Sequence, residues 1–297
     1  MKRLPWTVAA LAAAVLLAGC GEVSNTLKPP PGTANTVTVA LDASPNFTHV
    51  GIFEAEALGY FSQTDIKVRF ITPSDPLSAL HSGRAQIAIA SEPAIILTRN
   101  AHIALASVAA IQQGPERVQV TCRAPKAATK TTTTTTATQT TSVTTPRAHP
   151  PLRAARCRAR TVARPDTQYA SAPTYNGLDF VVTEAEIINH APIIRRFVQA
   201  VGRGYSAARA DPASATENLV KLNPSLNYTE QLAGVTASLP GFFPVKPVTS
   251  TTERPWGFQT VRQWNAFGSW LLTHHDITDP DAVTDADTNE LLAGQGV

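Results

Sequence analysis

From Thr36 to Ala110 the hydrophobic positions switch repeatedly between a period of two and a period near 3.6. Val37, Val39 and Leu41 alternate as in a strand, His49 to Leu58 reads as a helix closed by Gly59, and Ile66, Val68 and Phe70 alternate again. Asp75 and Pro76 supply a cap and a first-turn proline for a helix from Pro76 to His81, with Gly83 as its stop. Ile87 to Ala90 reads as a strand, Ser91-Glu92-Pro93 opens another helix, and Ile103 to Ala110 makes a fourth strand. Strands and helices in strict alternation predict an α/β fold with a mostly parallel sheet covered on both faces. Ligands of such sheets bind beyond the carboxyl ends of the strands. Asn46, His49, Asp75, Ser91 and Glu92 fall at those strand-to-helix joints.

Pattern returns after Ala172, where Leu178 to Thr183 reads as a strand. Pro192 to Ala210 reads as a helix with Ile193, Ile194, Phe197, Val198, Val201 and Tyr205 on one face. Asp211-Pro212 caps the next helix, which ends near Asn223-Pro224; further helices are predicted over Thr229 to Ser238 and Thr260 to Thr273. Between the two patterned blocks, Glu116 to Ser171 holds a run of threonines from Thr131, then Pro150-Pro151 and the arginine-rich stretch Arg153 to Arg160. Low complexity with few aromatics predicts disorder there.

The N-terminus changes the picture. Lys2 and Arg3, the apolar run Val8 to Leu17 and the small residues before Cys20 fit a secretory signal, and Leu17-Ala18-Gly19-Cys20 resembles a bacterial lipobox. The expectation is a signal peptide over 1–19, acylation of Cys20 and a proline-rich tether over 20–35, which places the chain on the outer face of a cytoplasmic membrane. The charge also needs partition. Pro115 to Ser171 carries ten Lys or Arg against Glu116 and Asp166, so removing that +8 from the overall +3 leaves −5, and −7 without Lys2 and Arg3. That balance argues against nucleic acid as a partner of the body of the protein. Beyond the anchor only Cys122 and Cys157 remain, either as a disulfide suited to an oxidising compartment or as unrelated thiols.

Taken together, the first strand, the Pro45-Asn46-x-x-His49 joint, Gly59-Tyr60-Phe61 and Glu92-Pro93 resemble the periplasmic substrate-binding proteins for thiamine-pyrimidine precursors. Pro173-Thr174-Tyr175-Asn176, Arg195-Arg196-Phe197, Arg203-Gly204-Tyr205, Asp211-Pro212 and Pro255-Trp256-Gly257 extend the resemblance. It implies a type II periplasmic binding protein of two lobes that delivers its ligand to an ABC permease. The division expected is a first part of lobe 1 over 36–113, a degenerate or disordered segment over 114–172 in place of lobe 2, and a return to lobe 1 with C-terminal helices over 173–297. The expectation for the interruption is a reading frame that shifts near Gly114 and returns near Pro173, the alternative being a natural linker. Ala43 departs from the family, whose members place an aromatic residue there; Phe47 and Tyr175 are candidate substitutes.

An aminopyrimidine needs a carboxylate or amide along its polar edge and aromatic faces about its ring. Asn46, His49 and Glu92 are the candidates for that edge, with Asp42, Tyr175 and Asn176 as further ligand contacts; each also has a purely structural reading as a turn, cap or packing residue. Trp256, Trp264 and Trp270 read as packing residues, His274-His275 as a helix end, and neither a metal nor a cofactor is expected. The competing functions are a receptor for riboflavin or another small solute, a nonfunctional one-lobed lipoprotein, and a pyrimidine synthase. The last loses its expected lysine and histidine to Ala90 and Ala94.

Overall fold

The computed structural model describes residues 35–123, 156–162, 167–245 and 254–294. The expected signal, the expected lipid attachment at Cys20, nearly all of the expected tether and the threonine run lie outside these residues.

Alternation of Val37 and Val39 with Thr36 and Thr38 produces β1 (Asn35–Ala40), whose turn leads into α1 (Val50–Ala57). β2 (Ile66–Ile71), α2 (Pro76–His81), β3 (Ile87–Ala90), α3 (Glu92–Asn100) and β4 (Leu105–Gln112) follow. Asp75 caps α2 by accepting from the Ser78 N–H at 3.0 Å, and Gly83 ends it with φ +73°, a left-handed conformation that costs a glycine little. β7 (Leu178–Thr183) returns to the same sheet, ahead of α4 (Glu184–Ala210), α5 (Pro212–Leu222), α6 (Tyr228–Ser238) and α7 (Val261–Thr273).

The strand order is β2-β1-β3-β7-β4. β1 pairs in parallel with β2 and β3, whereas β7 is antiparallel to both β3 and β4. Inserting β7 between β3 and β4 qualifies the expectation of uninterrupted parallel pairing, because a strand's direction follows from its connection and not from its own alternation. Both faces are covered. Val37, Val39, Ile87, Ile89, Phe180 and Val182 pack with α1 and α4 on one side. Ala40, Ala88, Ala90 and Val181 pack with α2, α3 and α7 on the other, where Trp264, Phe267 and Leu271 are fully buried.

α4 starts eight residues before the expected Pro192, capped by Thr183 Oγ1, which accepts from the Glu186 N–H at 3.1 Å. It is interrupted at His190 (φ −133°, ψ 18°), just ahead of Pro192, whose missing N–H and ring disfavour a continuous helix.

A larger difference lies in the segment expected to be disordered. β5 (Arg117–Arg123) and β6 (Arg156–Val162) pair antiparallel, and Cys122 and Cys157, directly opposite one another, form a disulfide. Val118, Val120, Cys157 and Ala159 alternate with exposed residues, and this half-buried side of the ribbon packs on α6. A turn over Thr167–Tyr169 follows, and Tyr169 and Ala172 enter the core with Tyr175 and Phe267. The alternation is present in the sequence, but each strand carries only two or three apolar residues and the surrounding composition conceals it.

Candidate functional site

A cavity of about 990 Å³ opens at the carboxyl ends of β1, β3 and β4. Its wall includes Asp42, Asn46 and Phe47 from the joint after β1, Ser91 after β3, and Gln112 and Gln113 at the end of β4. Thr174, Tyr175 and Gly177 line it from the segment entering β7, while Ser238 and Phe243 come from the end of α6 and beyond. Val118 and Thr161 of the β5–β6 ribbon close a further side.

The joint after β1 is built by its own hydrogen bonds. Asn46 Oδ1 accepts from the Thr48 N–H and Thr48 Oγ1, both at 2.8 Å, and its Nδ2 donates to the Ser44 carbonyl at 2.9 Å. The Asn46 N–H donates to His49 Nδ1 at 3.2 Å, which leaves the imidazole proton on Nε2 to donate to Asp42 Oδ1 at 2.8 Å. His49 is 1% exposed and therefore orients Asp42 from behind, whereas Asp42 keeps a solvent-facing side on the cavity. Tyr205 Oη fixes the same turn from α4 by donating to the Thr48 carbonyl at 2.6 Å.

Behind the opposite wall lies a buried polar cluster. Glu92 is fully buried at the start of α3, and its Oε2 accepts from the Asn176 N–H at 2.6 Å and from Gln263 Nε2 at 3.1 Å. The Glu92 N–H in turn donates to the Asn176 carbonyl at 3.2 Å. Asn176 Nδ2 donates to Asp179 Oδ1 at 2.9 Å, and Gln263 Nε2 donates to Asn176 Oδ1 at 2.8 Å. Ser107 and Gln259 complete the cluster. Glu92 Oε1 and Asp179 Oδ2 have no hydrogen-bond partner among the described residues.

Burial pushes the Glu92 carboxyl up to about 8, against the opposing pull of the Asn176 N–H and the Gln263 amide, with the charge of Asp287 adding to the rise. Asp179 is driven well above the carboxylate range, first by burial and then by the charge of Glu92. Burial, with Asp285 nearby, lifts Asp287 to about 6. Two buried carboxyls with no ion-pair partner among the described residues favour the protonated state at neutral pH, and as such they brace α3, α7 and the strand entering β7.

Of the six sequence candidates, the structure brings Asp42, Asn46 and Tyr175 to the cavity wall. His49, Glu92 and Asn176 are buried and are not among its lining residues. Asn46 spends its side chain on the turn, and Tyr175 is 2% exposed, tilted against Phe267 with ring centroids 4.7 Å apart. Sequence reasoning missed Gln112, Gln113, Phe243, Asp179 and Gln263. Asp179 alone left a signal, a carboxylate inside the apolar strand Leu178 to Thr183. No group of three or more metal-ligating side chains occurs among the described residues.

Comparison with known proteins agrees with this architecture. Residues 46–131 match the NMT1/THI5-like family. The formylaminopyrimidine-binding protein of Halalkalibacterium halodurans is 35% identical over 83 residues, 27% of this chain and 25% of that protein. The chain thus aligns with about a quarter of the length of that curated relative. The alkanesulfonate-binding protein SsuA from Xanthomonas axonopodis pv. citri superposes with a TM-score of 0.52 at 10% identity, over 87% of this chain and 99% of that one. A Candida albicans gene product described as having the generic periplasmic binding protein fold gives a TM-score of 0.52 at 12% identity, over 88% and 98% of the two chains. The chain has the periplasmic binding protein fold, and its segment 46–131 is NMT1/THI5-like.

Proposed function

We propose that this protein is an extracytoplasmic solute-binding protein that takes a small aminopyrimidine and passes it to an ABC permease while held to the membrane by a lipidated Cys20. The observation that carries the reading is the cavity at the strand ends, with the Asp42 carboxylate oriented by His49 and Phe47, Phe243 and Tyr175 as apolar wall. A carboxylate accepts from an exocyclic amine, and aromatic faces bury the ring. The named pyrimidine ligand of the Halalkalibacterium relative supports the ligand class. The domain division follows the sequence reading: signal over 1–19, tether over 20–35, lobe 1 over 36–113 and 173–297, with 114–172 replacing lobe 2. Binding proteins of two lobes act by hinge closure; here the β5–β6 ribbon supplies the facing wall.

Titration calorimetry with formylaminopyrimidine, hydroxymethylpyrimidine, riboflavin and an alkanesulfonate tests the assignment. Saturable binding of the two pyrimidines alone is expected. Asp42→Asn, which can still accept from His49, should weaken it about 10-fold to 100-fold, the scale of a charge-assisted hydrogen bond. Binding of riboflavin or the sulfonate in their place would transfer the assignment to that solute. Absence of all binding would favour the second reading, a one-lobed lipoprotein without a ligand, which is motivated by the ribbon standing where a full lobe is expected. Resequencing the gene across the codons for 111–175 tests the frame-shift origin of that ribbon; a patterned lobe in another frame is the expected result.

A further inference from the structure

We propose that the β5–β6 ribbon is a docking face for an anionic phospholipid surface. Its register puts Arg117, Arg123, Arg156, Arg158 and Arg160 on one face together with Gln119 and Thr121, and all seven are exposed. The other face packs on α6, and Val118 and Thr161 line the cavity. Arg117, at the near end of the basic face, also lines the cavity, whereas Arg123, Arg156, Arg158 and Arg160 do not.

The basic face is held together against its own charge. Arg123 lies directly opposite Arg156, an unfavourable cross-strand pair, and the neighbouring Cys122–Cys157 disulfide staples the strands at that end. Arg160 is aligned by donating to Gln119 Oε1 at 3.3 Å. Alternate residues along a strand are roughly 7 Å apart and paired strands about 5 Å, so the arginine positions extend over roughly 20 Å of ribbon, a span that can meet several headgroup phosphates. No aromatic side chain interleaves these arginines to stack on bases, and the rest of the chain is net negative. Lipid phosphate is therefore the occupant favoured over nucleic acid. Each arginine near such a surface adds to the attraction, which salt screens within a Debye length. Docking would set the ribbon between the cavity and the membrane. This meaning rests on the envelope location proposed above, but the lipid preference itself is measurable whether or not Cys20 is acylated or any pyrimidine binds.

The test compares the full chain with R156E/R158E/R160E and R156K/R158K/R160K in flotation assays. The vesicles are phosphatidylcholine alone or phosphatidylcholine mixed with phosphatidylglycerol, at low and high salt. The N-terminal apolar segment is common to all three proteins, so the readout is the gain on adding phosphatidylglycerol. A gain of about tenfold or more at low salt is expected for the native chain and the lysine variant, lost at high salt and lost in the glutamate variant. Matching thermal unfolding midpoints establish that the variants are folded. An equal gain in the glutamate variant overturns the proposal. So does loss of the gain in a folded lysine variant, or binding of a short DNA duplex that outcompetes the vesicles.

Discussion

Replacing Glu92 with alanine is expected to lower the stability of the protein by about 2–4 kcal/mol at pH 6, because it opens a cavity, leaves the Asn176 N–H without its acceptor and removes one of the two acceptors of Gln263 Nε2. Glu92→Gln keeps an acceptor at the same place and should change stability little at that pH. The two variants separate further with pH. The folded-state value of Glu92, about 8, lies above its ordinary 4.5, so the folded protein holds the proton more tightly than the unfolded chain. Its contribution is complete below about pH 4.5 and is lost as pH rises through 8, at a total cost on the order of 5 kcal/mol. Asp287 acts in the same direction between its ordinary 3.8 and about 6. The native protein should therefore be less stable at pH 8.5 than at pH 5.5, and Glu92→Gln should lessen the fall between pH 6 and 8.5, the remainder belonging to Asp179, whose carboxyl is likewise held above its ordinary range. Urea unfolding at several pH values measures both. An undiminished slope in the glutamine variant would mean that Glu92 is not the group that titrates.

Gly204→Val is expected to abolish soluble folding, and Gly204→Ala to cost about 3 kcal/mol or more. A Cβ at 204 would stand 2.0 Å from the Gly51 carbonyl oxygen and 2.9 Å from the Ala55 Cβ, so α1 and α4 could not keep their separation. Gly51 is constrained in the same way, since a Cβ there would lie 2.2 Å from the Tyr205 ring. Moving α1 also moves the Asp42–His49 joint at its start, so any alanine variant that folds should lose ligand affinity as well. Gly241, with no atom within 4 Å of an added Cβ and no positive φ, is the control; Gly241→Ala should stay within about 0.5 kcal/mol. Chemical denaturation of the three variants checks the ranking, and a stable, fully folded Gly204→Val would refute the packing argument.

The candidate site was legible as a place more than as a set of contacts. A strand ending in Leu41-Asp42 and a helix beginning near His49 locate a cavity-lining joint through local pattern alone. The direction of each side chain within it was not legible. Glu92 meets Asn176 and Gln263, residues 84 and 171 positions away, and those partners hold its carboxyl in the core and not in the cavity. Phe243 and Gln112 reach the wall through chain connections that leave no periodic trace.

Local periodicity and capping determined the elements: β3 and β7 and the helix Pro76–His81 occupy the residues that alternation, Asp75 and Gly83 indicate. They also determined that a sheet covered on both faces would open at its carboxyl ends, where the cavity lies. Tertiary structure decided the antiparallel placement of β7, the pairing of Cys122 with Cys157, and which polar side chains face solvent. The physical reason is range. Hydrogen-bonded helices and alternating strands depend on neighbours within a few residues, whereas strand direction, disulfide pairing and the ionisation of a buried carboxyl depend on groups that only the folded chain brings within reach.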